Sequence, residues 1–263
     1  MLRAGLVMLT ALLLTPVLAA GPAHARPGPV VAVGDSYMAG IGAGEYAIDD
    51  GCRRSARSYA ADAARRTAGE LVDESCPGAR VPQALAQVAA IPTDAGSVLV
   101  QVGGNDIGFA DLALACLLPF NTTCLSDVAA ARKRLPVLTE QLAAVATEAR
   151  ARAPEAEVVM AGYPRLLASP RECSGSLVAR FLTSREISAI NALQARLDST
   201  IRAAATKAGV RYVDWPRSVD RHSLCSADPW FVTPLNGSAE DSLHPTVEAY
   251  AAMGREVTKL LRR

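Results

Sequence analysis

Two short segments, far apart in the chain, hold residues that could do nucleophilic chemistry. Val30-Val31-Ala32-Val33-Gly34 is an apolar run that ends in Asp35-Ser36-Tyr37. Such a run reads as a buried strand, and Ser36 stands just past its end. Asp241-Ser242-Leu243-His244-Pro245 lies ahead of a helical pattern near the other end. A serine, a histidine and a carboxylate are the parts of a serine hydrolase. The imidazole takes the hydroxyl proton, and the carboxylate fixes its tautomer and stabilises the imidazolium. The three histidines are His24, His222 and His244. His244 is the favoured base, with Asp241 spaced to reach one ring nitrogen while the other faces outward. His222, in Asp220-Arg221-His222-Ser223-Leu224-Cys225, is the rival.

Further candidates lie at other strand ends. Gly103-Gly104-Asn105 follows an apolar run, and an amide NH₂ there could donate to an oxyanion. Gly78, after Cys76-Pro77, has no side chain to keep a substrate from its backbone N–H. Each feature has a plainer reading on its own. Ser36 could be an ordinary N-cap, Asn105 could satisfy its own turn, and Gly78 could end one. Asp35 and Asp106 read as turn-fixing carboxylates. The serine is not in a G-x-S-x-G elbow, because Met38 stands where the second glycine would be.

The elements that must position these residues alternate. Buried strands are expected at 29–34, 71–75, 97–102, 157–161 and 210–213. Helical patterns fall at 55–68 and 127–152, with Leu135, Leu138, Leu142 and Val145 apolar in the second. Thr183-Ser184-Arg185-Glu186 is a capping box. It opens a helix with Ile187, Ile190, Leu193, Leu197 and Ile201 on one face, stopped at Gly209. A short helix is expected to open at Ser36, placing its hydroxyl at a helix N-terminus. A last helix follows His244, with Pro245 expected in its first turn and Val247, Tyr250, Ala251, Val257 and Leu261 as its apolar face. Alternating strands and helices imply an α/β fold with a parallel sheet covered on both faces. In such sheets, functional loops gather at the carboxyl ends of the strands. Ser36, Gly78 and Asn105 are all placed there.

Composition narrows the class. The chain has 263 residues, with 27 Lys+Arg against 26 Asp+Glu. No basic stripe points to nucleic acid or anionic lipid. Residues 1–25 have the anatomy of a secretory signal. Arg3 is followed by an apolar stretch from Leu6 to Leu18, broken by Pro16, and by Ala23-His24-Ala25. The stretch is short for a membrane span. Cleavage near Ala25 and a secreted protein of one domain over 26–263 are expected. The six cysteines, Cys52, Cys76, Cys116, Cys124, Cys173 and Cys225, all lie beyond this segment. An even count in a secreted chain reads as three disulfides, with fifteen pairings open from sequence alone. No C-x-x-C occurs, so a zinc site is not expected.

Taken together, the blocks resemble the SGNH, or GDSL-type, hydrolase family. Gly34-Asp35-Ser36-Tyr37, Gly78, Gly103-Gly104-Asn105-Asp106 and Asp241-x-x-His244-Pro245 occur in that order. The six-cysteine layout resembles its secreted actinobacterial lipases and esterases. Tyr37 replaces the leucine of the GDSL name, Pro77 stands where serine is usual, and Thr246-Val247-Glu248 departs from the pattern after His-Pro. The resemblance implies a flavodoxin-like three-layer α/β/α sandwich with about five parallel strands. It implies Ser36 as nucleophile, His244 as base and Asp241 as its orienting carboxylate. The oxyanion hole it implies is Ser36 N–H, Gly78 N–H and the Asn105 side chain. It also implies the pairs 52–76, 116–124 and 173–225. The expected activity is hydrolysis of carboxylic esters by way of an acyl-enzyme, with no metal or cofactor. The expected substrate is a small-molecule or lipid ester, and neither nucleic acid nor stable membrane insertion is implied. A monomer is expected. Carbohydrate O-deacetylation, phospholipase or thioesterase chemistry at the same site, and a non-catalytic secreted binding protein are the alternatives. The low aromatic content, with Trp215 and Trp230 as the two tryptophans, does not favour a sugar-stacking groove.

Overall fold

A computed structural model describes residues 28–47, 51–119, 121–233 and 238–262. The proposed signal segment and its cleavage site lie outside these residues. In chain order the elements are β1 (Val30–Gly34), α1 (Ser36–Ala39), α2 (Tyr59–Thr67), β2 (Leu71–Asp73), α3 (Val81–Val88) and β3 (Ser97–Gln101). Then come α4 (Phe109–Cys116), α5 (Cys124–Arg132), α6 (Leu135–Arg152), β4 (Glu157–Ala161) and α7 (Pro170–Cys173). A 3₁₀ turn at Val178–Arg180, α8 (Ser184–Ala208), β5 (Arg211–Val213), α9 (Arg217–Asp220) and α10 (Val247–Leu261) complete them.

The five strands form one parallel sheet in the order β2-β1-β3-β4-β5. This is the flavodoxin-like order, in which ligands bind beyond the carboxyl ends of β1 and β3, where the winding reverses. Every residue of β1 and β3 is buried. That is why Val30–Val33 and Val98–Val100 read as unbroken apolar runs rather than alternating ones. Helices α3, α6 and α8 pack in succession on one side, while α2 packs on α10. The expected face of α8, from Ile187 to Ile201, is buried, and the Thr183–Glu186 box is formed.

Local chemistry moves several boundaries. The helical pattern at 127–152 is two helices. Pro136 lacks an N–H and its ring would crowd the carbonyl of Arg132, so α5 stops at Arg132 and α6 restarts with Pro136 in its first turn. The pattern at 55–68 becomes a helix only at Tyr59, because the Ser58 hydroxyl caps it by accepting from Ala61 N. Pro245 is not in the first turn of α10. Thr246 is the N-cap, and Pro245 instead forms an antiparallel bridge with Phe231. The buried face of α10 is Ala249, Tyr250, Ala252, Met253 and Val257, so Ala251 lies to one side of it.

The cysteines pair 52–76, 116–124 and 173–225. The bridges span 24, 8 and 52 residues. In the chain-entropy account the shortest stabilises by about 2.5 kcal/mol and the longest by about 4 kcal/mol. The 52–76 bridge ties the segment after Gly51 to the turn that carries Gly78.

Candidate active site

Ser36 begins α1, a single turn of four residues. So short a helix has little macrodipole, contrary to the expected role of a helix N-terminus. What the turn does offer is an amide. Among the described residues Ser36 N–H has no hydrogen-bond partner. Asp35 caps the turn, its Oδ1 accepting from Tyr37 N at 3.0 Å. The end of β1 is held from the other side by Gln87 of α3, which accepts from Gly34 N at 2.7 Å and donates to Gly34 O at 3.1 Å.

His244 comes to this serine from 208 residues away, its Nε2 lying 2.7 Å from Ser36 Oγ. The segment that carries it is strapped down. Leu243 N donates to Val232 O, Val232 N to His244 O and Thr246 N to Trp230 O. Leu243 has φ +65°, uncommon for a branched residue and costly by about 1–3 kcal/mol. The strap and a hydrogen bond from Tyr37 Oη to Leu243 O, 2.9 Å, hold it there. The Tyr37 ring also lies against the imidazole, with centroids 5.2 Å apart. Behind the imidazole, Gly42 leaves no room for a side chain. A Cβ there would stand 2.4 Å from Pro245 O and 3.1 Å from His244 Cβ.

The orienting partner of His244 is not the Asp241 carboxylate. Nδ1 is 3.1 Å from Ser242 O. A carbonyl can only accept, so Nδ1 carries the proton and Nε2 is left as the acceptor facing Ser36. Asp241 is drawn outward instead. Its Oδ1 accepts from Tyr46 Oη at 2.9 Å and from Arg53 Nη2 at 3.0 Å. The positive φ at Leu243 reverses the chain, so that the Ser242 carbonyl meets the ring. A D-x-x-H spacing shows that a carboxylate is near, but not which way the intervening backbone turns.

Burial pushes the His244 imidazole down to about 4, opposed by its carbonyl partner Ser242 and by the charge of Asp241. A ring acting as base must be neutral, so the acid limb of kcat/KM is expected near pH 4 rather than near 6.5. Asp241→Asn removes a charge that raises this pKa and leaves the Ser242 contact in place. We therefore expect turnover within about tenfold of the parent and a limb moved slightly further down. A loss near 10⁴ would show that the carboxylate fixes the tautomer after all.

Asn105 lines the same cavity as Ser36 and His244. One of its amide protons is committed to Ala79 O at 3.1 Å. An NH₂ has two, so the second is available. The bond to Ala79 also ties the Asn105 loop to the Gly78 turn. No atom lies within 4 Å of where a Gly78 Cβ would be, and its amide has no partner among the described residues. Asp106 Oδ1 accepts from Val81 N at 3.1 Å and so caps α3. His222 is not among the residues that line this cavity. It stacks flat on Trp230 at 3.9 Å, and its Nδ1 lies 2.8 Å from Asp228 O. Most of the remaining wall is apolar, made by Phe109, Ala110, Ala113 and Leu114 of α4 with Leu166 and Leu197, while Asp111, Gln194 and Glu240 also line it.

Tyr37, Tyr46, Tyr163 and Ser242 are the parts of this site that sequence reasoning missed. Tyr46 and Tyr163 act through single hydroxyls in segments with no local motif, Tyr37 acts through a hydroxyl whose partner its own block does not indicate, and Ser242 acts through its backbone. Among the described residues no group of three or more His, Cys, Asp or Glu could hold a metal ion.

Known proteins share this fold and much of this sequence. Residues 32–252 match the profile of the GDSL-like Lipase/Acylhydrolase family. A lipase of Streptomyces rimosus is 36% identical over 248 residues, 90% of either chain. The crystal structure of phospholipase A1 from Streptomyces albidoflavus NA297 superposes with a TM-score of 0.80 at 33% identity, over 90% of this chain and 99% of that one. The extracellular lipase of Streptomyces rimosus gives 0.78 at 33% identity, over 89% and 98%. The chain belongs to the GDSL-like lipase/acylhydrolase family and is an ester hydrolase of the SGNH type.

Proposed function

We propose that the protein is an exported serine esterase that cleaves carboxylic esters with an apolar acyl chain through an acyl-enzyme on Ser36. The 2.7 Å contact between Ser36 Oγ and His244 Nε2, opening onto a mostly apolar cavity, carries this reading. His244 takes the Ser36 proton as Oγ attacks the ester carbonyl. The oxyanion is held by Ser36 N–H, Gly78 N–H and the uncommitted Asn105 proton. His244 then gives its proton to the leaving alcohol. Water, activated by the same imidazole, releases the acid. No step calls for a cofactor.

Export is supported by the signal-like residues 1–25, by three disulfides and by the likeness to an extracellular lipase. Cleavage near Ala25 would leave a one-domain enzyme over 26–263. No helix among the described residues is long and apolar enough to cross a membrane. The acyl preference is supported by the cavity wall and by relatives named lipase and phospholipase A1. Each methylene buried is worth about 0.8 kcal/mol, or up to fourfold in kcat/KM. On nitrophenyl esters from acetyl to palmitoyl, kcat/KM should therefore climb over the first several carbons. A flat series, or a preference for acetylated xylan, would move the assignment to a short-chain esterase or deacetylase.

A further inference from the structure

One buried hydroxyl joins the two halves of the site. Tyr163 lies just past β4, outside every block that carries the serine, the asparagine or the histidine. Its Oη donates to Asp35 Oδ2, and it accepts from Gly104 N at 3.1 Å. Both Asp35 oxygens are then occupied, one capping the turn of the serine and the other held by Tyr163. Gly104 is the residue before Asn105. An unbroken chain of hydrogen bonds thus runs from Tyr37 N through Asp35 and Tyr163 to the Asn105 loop. The tyrosine ring packs closely on Gly104, where a Cβ would stand 3.2 Å from it.

Tyr163 is held rigidly enough to act as a gauge between these loops. Its backbone N–H donates to Asp198 Oδ1 at 2.9 Å. The Gln194 side chain donates to Pro164 O and accepts from Leu166 N at 3.2 Å. The preceding carbonyl, Gly162 O, accepts from Gln101 Nε2 and from Trp215 Nε1 at 2.5 and 2.9 Å. The ring meets Tyr37 edge-on, with centroids 5.2 Å apart. Together these bonds fix the place of the Tyr163 oxygen.

We propose that Tyr163 is a positioning residue of the oxyanion hole, setting the Asn105 donor against the Ser36 turn through its shared bonds to Asp35 and Gly104. The inference rests on the assignment of Ser36 and Asn105 given above. A donor aimed at developing charge is effective only over a narrow range of positions, so losing the gauge should slow acylation and spare ground-state binding. Phenylalanine keeps the ring and its packing and removes only the oxygen.

For Tyr163→Phe, kcat on a nitrophenyl ester should fall roughly 10- to 100-fold, with KM changed less than about threefold. In an Asn105→Ala background the same substitution should cost less than about threefold, because the donor it positions is gone. An equal loss in both backgrounds, a loss in KM alone or unchanged turnover would each overturn the proposal. A second measurement needs no variant. The Gly104 amide of the parent protein should exchange with solvent deuterium far more slowly than an open loop amide, and rapid exchange would show that the bond to Tyr163 is not made. Ser36→Ala separates the two levels. If that variant stays active, the site assignment fails, whereas a dead Ser36→Ala beside an unaffected Tyr163→Phe overturns only the role of Tyr163.

Discussion

Ser36→Ala should abolish ester hydrolysis, by about 10⁴-fold or more, and leave the fold intact. The variant loses the attacking atom. It keeps the Asp35 cap on Tyr37 N, the Gln87 clasp on Gly34 and the Ser36 amide, none of which uses the hydroxyl. His244→Ala should fall to a similar floor, because serine and histidine act as one unit and the loss of either removes the function of both. His222→Ala is the control. Its ring stacks on Trp230, so its removal should lower stability and leave kcat alone. The measurement is turnover on a short-chain nitrophenyl ester, with circular dichroism to confirm folding. More than a few per cent of parent activity in Ser36→Ala would mean that another group attacks. Equal losses from His222→Ala and His244→Ala would reverse the choice of base.

Asn105→Ala should lower kcat by roughly 10²–10³, the effect of removing one oxyanion donor. KM should move little, since the charge being stabilised appears only as the tetrahedral intermediate forms. The same amide also bonds Ala79 O, so the alanine variant could disturb the Gly78 turn as well. Asn105→Asp loses the bond to Ala79 O as well and tests the charge at this place. It keeps the shape and withdraws both donors, and it sets a carboxylate where negative charge must develop, so it should be slower than the alanine variant. Unchanged turnover in Asn105→Ala would remove Asn105 from the hole. Recovery of activity in Asn105→Asp would show that shape rather than hydrogen bonding mattered.

The strands and the order of the site were legible because each rests on a local property. β1 and β3 are buried on both faces, so their runs of valine and leucine have no polar interruption to confuse them with a helix. The Thr183 box and the apolar spacing of α8 are likewise local. Ser36 and Asn105, which line one cavity, could be placed together from the sequence because a parallel sheet brings its carboxyl ends to one edge. Helix ends were less legible where a single side chain settles them, as the Ser58 hydroxyl does for α2 and the Pro136 ring does between α5 and α6.

The tertiary structure decided what no spacing encodes. Asp241 sits three residues from His244 and could have bonded its ring. Arg53 and Tyr46, nearly two hundred residues away in the chain, claim its carboxylate, and the left-handed backbone of Leu243 turns the Ser242 carbonyl to the ring instead. Tyr163 reads in sequence as one more aromatic residue after a strand. Only the folded chain brings its hydroxyl between Asp35 and Gly104. By itself, the sequence determined the parallel sheet, the serine and histidine that come into contact, and the edge at which they meet, because burial and chain order are local or cumulative properties. Which acceptor holds the imidazole and which hydroxyl joins the loops were left to the tertiary structure, because a hydrogen bond between distant residues depends on directions that exist only once the backbone has closed around them.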